Sequence, residues 1–242
     1  MSLSKPPGLR PGAIPSPNIW YDPVIYEVEN RAVDPDGVIE ATMRSIRPYA
    51  DSAVLDIGCG TGFHLPRFAE TATQVIGVEP HPTLVLAARR RTKSLPNVRV
   101  LHASAQATTL APASVDVVHA RWAYFFGPGC EPGLAEIDRV LRRGGAAFLI
   151  DNDARTSTFG RWFSWEHPDY DTDAVDGFFA ARGWANQPAS MRWSFSSRPD
   201  LEAVVRIEFK PEVADEVLRH HDGLEVDYAV NLCRRTSDIA AG

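Results

Sequence analysis

The chain has 242 residues, with 25 Lys and Arg against 31 Asp and Glu, a formal net charge of −6. That length suits one α/β domain, and the acidic balance argues against a nucleic-acid substrate, whose phosphates favour basic surfaces. Residues 1–20 lack the apolar core of a signal peptide and no run is long enough to span a bilayer, so a cytoplasmic protein without membrane contact is expected. Cys59, Cys130 and Cys233 are odd in number and lack metal-ligand spacing, which excludes a disulfide framework and suggests a reducing compartment.

Prolines at 6, 7, 11, 15, 17 and 23 predict an extended, non-helical start, with Trp20, Tyr21 and Tyr26 making its later part apolar. Asp34-Pro35 reads as the N-cap and first residue of a helix carrying Val38, Ile39, Met43 and Ile46 on one face. Strand and helix then alternate: 53–57, 63–72, 74–79, 82–93, 97–102, 115–119, 132–143 and 145–151. Such alternation predicts a mostly parallel sheet covered on both faces. Beyond 152 come an aromatic and acidic stretch and a helix over 173–182 stopped by Gly183. A strand near 190–197, helices over 199–207 and 211–220 and a final strand over 224–233 complete the chain. The basic cluster Arg89-Arg90-Arg91-Thr92-Lys93 sits at a helix end, where cations complement the dipole, and Arg142-Arg143 is similarly placed.

The informative segment is Val54-Leu55-Asp56-Ile57-Gly58-Cys59-Gly60-Thr61-Gly62. An apolar run passes through an acid into a glycine-spaced turn, and an amphipathic stretch follows. This order predicts a buried strand, a loop that a ligand can approach closely, and a helix whose free N–H groups face that ligand. Seventeen residues after Gly62, the run Val75-Ile76-Gly77-Val78 ends in Glu79, whose carboxylate can accept from the two hydroxyls of a ribose. A nucleoside pocket is the expected product.

These residues resemble motifs I and II of the class I S-adenosylmethionine-dependent methyltransferases. The dinucleotide-binding fingerprint G-x-G-x-x-G is the nearest rival, but its third glycine would fall at Phe63. The resemblance implies a doubly wound, mostly parallel seven-stranded sheet with an antiparallel last strand, supplied by Glu225–Val230. It divides the single domain into an N-terminal cap (1–50), a cofactor-binding core (51–152), substrate-lid insertions (153–222) and a final strand (223–235). By resemblance, Asp56 anchors the loop or meets the amino acid end of S-adenosylmethionine, above the backbone of Gly58, Cys59, Gly60 and Gly62. Glu79 takes the ribose, and Pro80 lies against the adenine. Ser104 and Ala105 stand where the family usually carries Asp-Ala, so a hydroxyl replaces a charged adenine contact. Tyr26 and Tyr21 are placed to close the site from the N-terminal side.

The fourth strand runs through Val115-Asp116-Val117-Val118-His119 into Arg121, Trp122 and Tyr124. In the family this strand end faces the donor's methionine portion, and carboxyl ends of parallel strands hold ligands in open α/β sheets generally. His119, Arg121 and Tyr124 are therefore the candidate polar groups near the reacting methyl, His119 as a general base and Arg121 as a contact to a donor or acceptor carboxylate. Asp116 is expected to support a turn. Glu136–Gly145 resembles the family's helix before strand five. Trp162, Phe163, Trp165, His167 and Tyr170 either cover an acceptor or cap the core. His220-His221-Asp222 reads as a helix end rather than a metal site. The expected reaction is methyl transfer to a small molecule by a monomer or homodimer. The rivals are a nicotinamide-dependent oxidoreductase and a non-catalytic relative that only binds the donor.

Overall fold

Short β-rich runs separated by amphipathic segments can bury both faces of a sheet only if helices cover each side. The computed structural model, which describes residues 6–237, has that arrangement. Its strands are β1 (Ala53–Ile57), β2 (Gln74–Glu79), β3 (Val98–His102), β4 (Val115–Arg121), β5 (Leu141–Asn152), β6 (Ala185–Ser194) and β7 (Glu225–Thr236). They form one seven-stranded sheet in the order β3-β2-β1-β4-β5-β7-β6. The first five strands pair in parallel, and β7 runs antiparallel to both β5 and β6. The expected fold, with its antiparallel last strand, is the one observed.

Side chains alternate between the two faces as period-2 geometry requires. Val54 and Val117 enter one apolar core, while Leu55, Ile57 and Val118 enter the other. The first core is closed by Trp193, fully buried and in contact with the rings of Phe159, Phe195 and Tyr228.

Helices α1 (Pro17–Tyr21), α2 (Pro23–Ala32) and α3 (Val38–Ile46) precede the sheet. Within it come α4 (Leu65–Ala69), α5 (Pro82–Arg91), α6 (Glu131–Val140), α7 (Thr158–Glu166) and α8 (Thr172–Ala180). The last pair is α9 (Arg198–Glu208) and α10 (Pro211–His220). Several expectations are corrected here. The proline-rich start does contain a helical turn, α1, because Pro17 occupies a first-turn position where no N–H is needed. Asp34 caps α3 from further away than expected: its Oδ1 accepts from Val38 N at 2.7 Å and its Oδ2 from Ile39 N at 3.0 Å. The helix expected over 63–72 is only α4, five residues long, so an extended helix N-terminus facing the ligand is absent there.

The segment 153–222, expected to carry substrate-lid insertions, contributes β6 to the sheet, and its α9 packs against α2. Its aromatic residues divide: Trp162 is buried against Phe209 and His221, whereas Trp165 is exposed. The three cysteines are free and buried. Among the described residues no helix is long and apolar enough to cross a membrane, and no cluster of three or more His, Cys, Asp or Glu side chains is placed to hold a metal.

Candidate active site

At the carboxyl ends of β1, β2 and β4 the chain turns away from the sheet and leaves a cleft. The glycine turn forms its floor. Gly58 and Gly60 adopt positive φ, +74° and +55°. A Cβ on Gly58 would lie 2.4 Å from the Cβ of Ala123, and one on Gly60 would lie 2.7 Å from Ile19 Cδ1. The glycines therefore admit close neighbours from the chain itself. Gly62, also at positive φ, does not line the cleft; its missing Cβ leaves room for Ala88 of α5.

Glu79 is buried at the end of β2. Its Oε2 accepts from Gly60 N at 3.0 Å and its Oε1 from His81 N at 2.8 Å. Burial raises its carboxyl to about 7, opposed by those two backbone bonds. The turn's N–H groups are directed inward: Gly58 N and Cys59 N both donate to Val78 O, at 2.8 and 3.1 Å. The loop thus shapes the cleft without offering those donors to a ligand.

The cleft holds roughly 970 Å³ open to solvent, a volume suited to a small organic ligand. Of the residues singled out from the sequence, Tyr26, Gly58, Cys59, Gly60, Glu79, Pro80, Ser104, Ala105, Arg121 and Tyr124 line it together. Asp56, Gly62 and His119 do not. Asp56 is buried beneath the turn, where its Oδ1 lies 2.8 Å from His119 Nδ1. Asp116 braces a turn as expected, its Oδ2 accepting from Ala53 N and Arg142, each at 2.8 Å.

The N-terminal segment supplies the opposite wall; of Tyr21 and Tyr26, the residues expected there, only Tyr26 lines it, beside others that the sequence did not single out for it. Ile14, Ser16, Ile19 and Trp20 line the cleft; Tyr21 is exposed outside it. The segment is fixed across β2 and β3 by Arg10, whose N donates to Pro80 O at 3.1 Å and whose Nε donates to His102 O at 2.8 Å. Helix α2 is fastened to the turn and to α5 through Glu27, which accepts from Thr61 Oγ1 and from Arg91 at 2.6 Å.

A second cavity of about 900 Å³, also open to solvent, lies beside the first, between α2, α3 and α4. Asn30, Phe63, His64 and Arg121 line both and form the shared wall. His64 was missed because it stands inside the stretch read as helix. Burial holds its pKa well below the usual value, with the Arg121 and His119 charges acting in the same direction. Its ring meets His119 edge-on at 5.6 Å between centroids. His119 faces this second cavity and not the first. Arg121 stacks its guanidinium 4.2 Å from the centre of the Trp122 ring. The turn that follows is held with Trp122 and Tyr124 at positive φ, 50° and 61°, a conformation costly for large side chains.

A family model described as a methyltransferase domain matches residues 54–145, the stretch holding the glycine turn, Glu79 and β4. Residues 54–145 are thus similar to a methyltransferase domain, and the sheet order is that of the class I methyltransferase fold. Over 107 residues it is 35% identical to an uncharacterized methyltransferase of Mycobacterium tuberculosis, and over a further 107-residue alignment 29% identical to YcgJ of Bacillus subtilis. Each alignment covers 43% of this chain and 42% of the relative, so the chain spans less than half the length of these curated relatives. The crystal structure of YcgJ superposes with a TM-score of 0.62 at 16% identity, covering 85% of this chain and all of YcgJ. A geranyl diphosphate methyltransferase in complex with S-adenosylmethionine shares the fold, with a TM-score of 0.53 at 16% identity over 81% of this chain and 84% of that one.

Proposed function

We propose that the protein transfers a methyl group from S-adenosylmethionine to a small-molecule acceptor, leaving S-adenosylhomocysteine. The observation that carries this reading is the Glu79 carboxylate on the wall of the first cavity, next to a floor that tolerates no Cβ at Gly58. Each Glu79 oxygen accepts one backbone N–H and keeps a further acceptor direction for a ribose hydroxyl. Pro80, Ala105 and the Ser104 hydroxyl suit an adenine, and Gly58, Cys59 and Gly60 leave space for the amino acid end. The residues fit the donor.

When bound, the donor supplies a methyl group already activated by the sulfonium charge, so the chain's work is orientation, water exclusion and proton removal. Ile19, Trp20 and Tyr26 close the cavity against water. His64, on the wall between the two cavities and kept neutral by burial, is the group positioned to take a proton from the acceptor. His119, oriented by Asp56, supports it from the second cavity. Tyr124 and Arg121 frame the opening between the carboxyl end of β4 and the donor.

Calorimetric titration tests the reading. S-adenosylmethionine and S-adenosylhomocysteine are expected to bind, and Glu79→Ala is expected to weaken both by about tenfold or more as two hydrogen bonds to a charged group are lost. Binding of NADH without S-adenosylhomocysteine would overturn it in favour of an oxidoreductase.

A further inference from the structure

Arg121 is the unusual charge of this molecule. Its Nε and one terminal nitrogen are enclosed by protein and have no hydrogen-bond partner. A buried guanidinium left without acceptors is costly, and a bound anion removes that cost. The two acids that line the second cavity are already engaged. Burial, together with a hydrogen bond shared with Glu208, raises the pKa of the buried Glu29, whose charge also acts on Arg121, well above the usual range. Asp34 spends both carboxylate oxygens on the first turn of α3. Glu40 is paired with Arg44 at 2.7 Å and with Arg67, and it also accepts from the Tyr49 hydroxyl. Arg31 and Arg67 line the second cavity with Arg121, so its wall carries three guanidinium groups against these two committed carboxylates.

Besides Asn30, His64 and His119, the rest of that wall is apolar. Ile39, Met43 and Phe68, all buried in the first core, reach it, together with Val33 and Phe63. A hydrated inorganic anion gains nothing from such a surface, whereas a small organic anion buries its hydrocarbon there while its charged end meets the guanidinium fork. Resting on the donor reading above, we infer that the second cavity is the acceptor site and that it takes a compact apolar or aromatic carboxylate, with Arg121 as the anchor of the carboxylate. Because Arg121 and His64 share the wall between the cavities, the acceptor's carboxylate end then lies beside His64 and next to the donor cavity.

The test is calorimetric titration of phenylacetate, phenylacetamide and inorganic phosphate into the full chain saturated with S-adenosylhomocysteine. Phenylacetate is expected to bind at least about tenfold more tightly than either of the others, because only it offers both a charge and a hydrocarbon face. Arg121→Gln is expected to remove this preference, and a cooperative thermal melt shows that the variant is folded. No phenylacetate binding, equal binding of the amide, or equal binding of phosphate overturns the inference and leaves the donor reading standing. A comparable loss of S-adenosylhomocysteine affinity in Arg121→Gln overturns it too, by assigning the arginine to the donor. Failure of the wild type to bind S-adenosylhomocysteine at all overturns the donor reading, and this inference with it.

Discussion

His119 Nδ1 lies 2.8 Å from Asp56 Oδ1, and the two residues are direct register partners on β1 and β4. Both are buried. The acid before the glycine turn is therefore committed to an imidazole beneath the site, and its second oxygen, Oδ2, is buried with no partner. This pair joins the floor of the first cavity to the wall of its neighbour, a structural role in keeping with the first of the two that resemblance offers Asp56, anchoring the loop or meeting the donor.

Asp56→Ala leaves the His119 ring N–H buried without an acceptor, at an expected cost of about 1–3 kcal/mol. Urea denaturation reads this as a lower midpoint. Affinity for S-adenosylhomocysteine is expected to remain within about threefold of wild type, since Asp56 does not line the donor cavity. A loss of an order of magnitude in that affinity, with stability unchanged, would return Asp56 to direct donor contact.

Gly58 and Gly60 separate two effects that a glycine-rich turn usually merges. At Gly58 an added Cβ meets Ala123 Cβ at 2.4 Å with φ at +74°, and Gly58 N is tied to Val78 O. Nothing there moves cheaply, so Gly58→Ala is expected to destabilise by about 2 kcal/mol or more and to weaken donor binding as well. At Gly60 the neighbour is the tip of Ile19, on the N-terminal wall. Gly60→Ala is expected to cost less stability but to loosen α1, so that limited proteolysis cuts faster within residues 13–22. Thermal melts and digestion time courses on the two variants compare them, and the reverse ranking would refute this division.

Glu79 links the site to pH. Its carboxyl is raised from 4.5 to about 7, so the folded chain holds this proton more tightly than the unfolded chain does. The associated stability is complete below about 4.5 and is lost as pH rises through about 7, amounting to about 3 kcal/mol. The stability of wild type relative to Glu79→Gln is therefore expected to fall across that window in thermal melts. Donor binding runs the other way, because ribose hydroxyls favour the ionised carboxylate. S-adenosylhomocysteine affinity is expected to decline as pH is lowered through about 7 in the wild type and to stay flat in Glu79→Gln. A flat wild-type profile would show that Glu79 does not meet the ribose.

The parallel core was readable because its signals are local. Each strand from β1 to β5 carries its own apolar run, and the turn and Glu79 lie within 26 residues of chain, from Val54 to Glu79. Features made by distant contacts were not readable. Ile19 and Trp20 close the cavity by meeting Gly60 and His81, yet their proline-rich surroundings have no periodicity. The first half of β6, Ala185–Ala189, lacks β-branched residues and becomes a strand only by pairing with β7. His64 was hidden because an amphipathic stretch was extended over it, whereas the helix begins one residue later, with Pro66 in its first turn.

The N-terminal wall provides the last prediction. Ile14, Ser16, Ile19 and Trp20 line the donor cavity, but none of them belongs to the sheet. The segment is held at its far end by Asn18 Nδ2, which donates to Glu208 Oε1 of α9 at 2.6 Å, and by Trp20, whose ring lies 5.1 Å from that of His81. These are few contacts compared with those of a core helix, so the wall can release before the sheet does. A chain lacking residues 1–22 keeps every strand and is expected to fold, while S-adenosylmethionine should leave it at least about tenfold faster because closure slows ligand escape. Asn18→Ala in the full chain should shift the rate in the same direction by less. Rapid filtration with radiolabelled S-adenosylmethionine measures both rates. If the truncated chain is folded and releases the donor at the wild-type rate, the N-terminal segment is a surface strap with no part in closing the site.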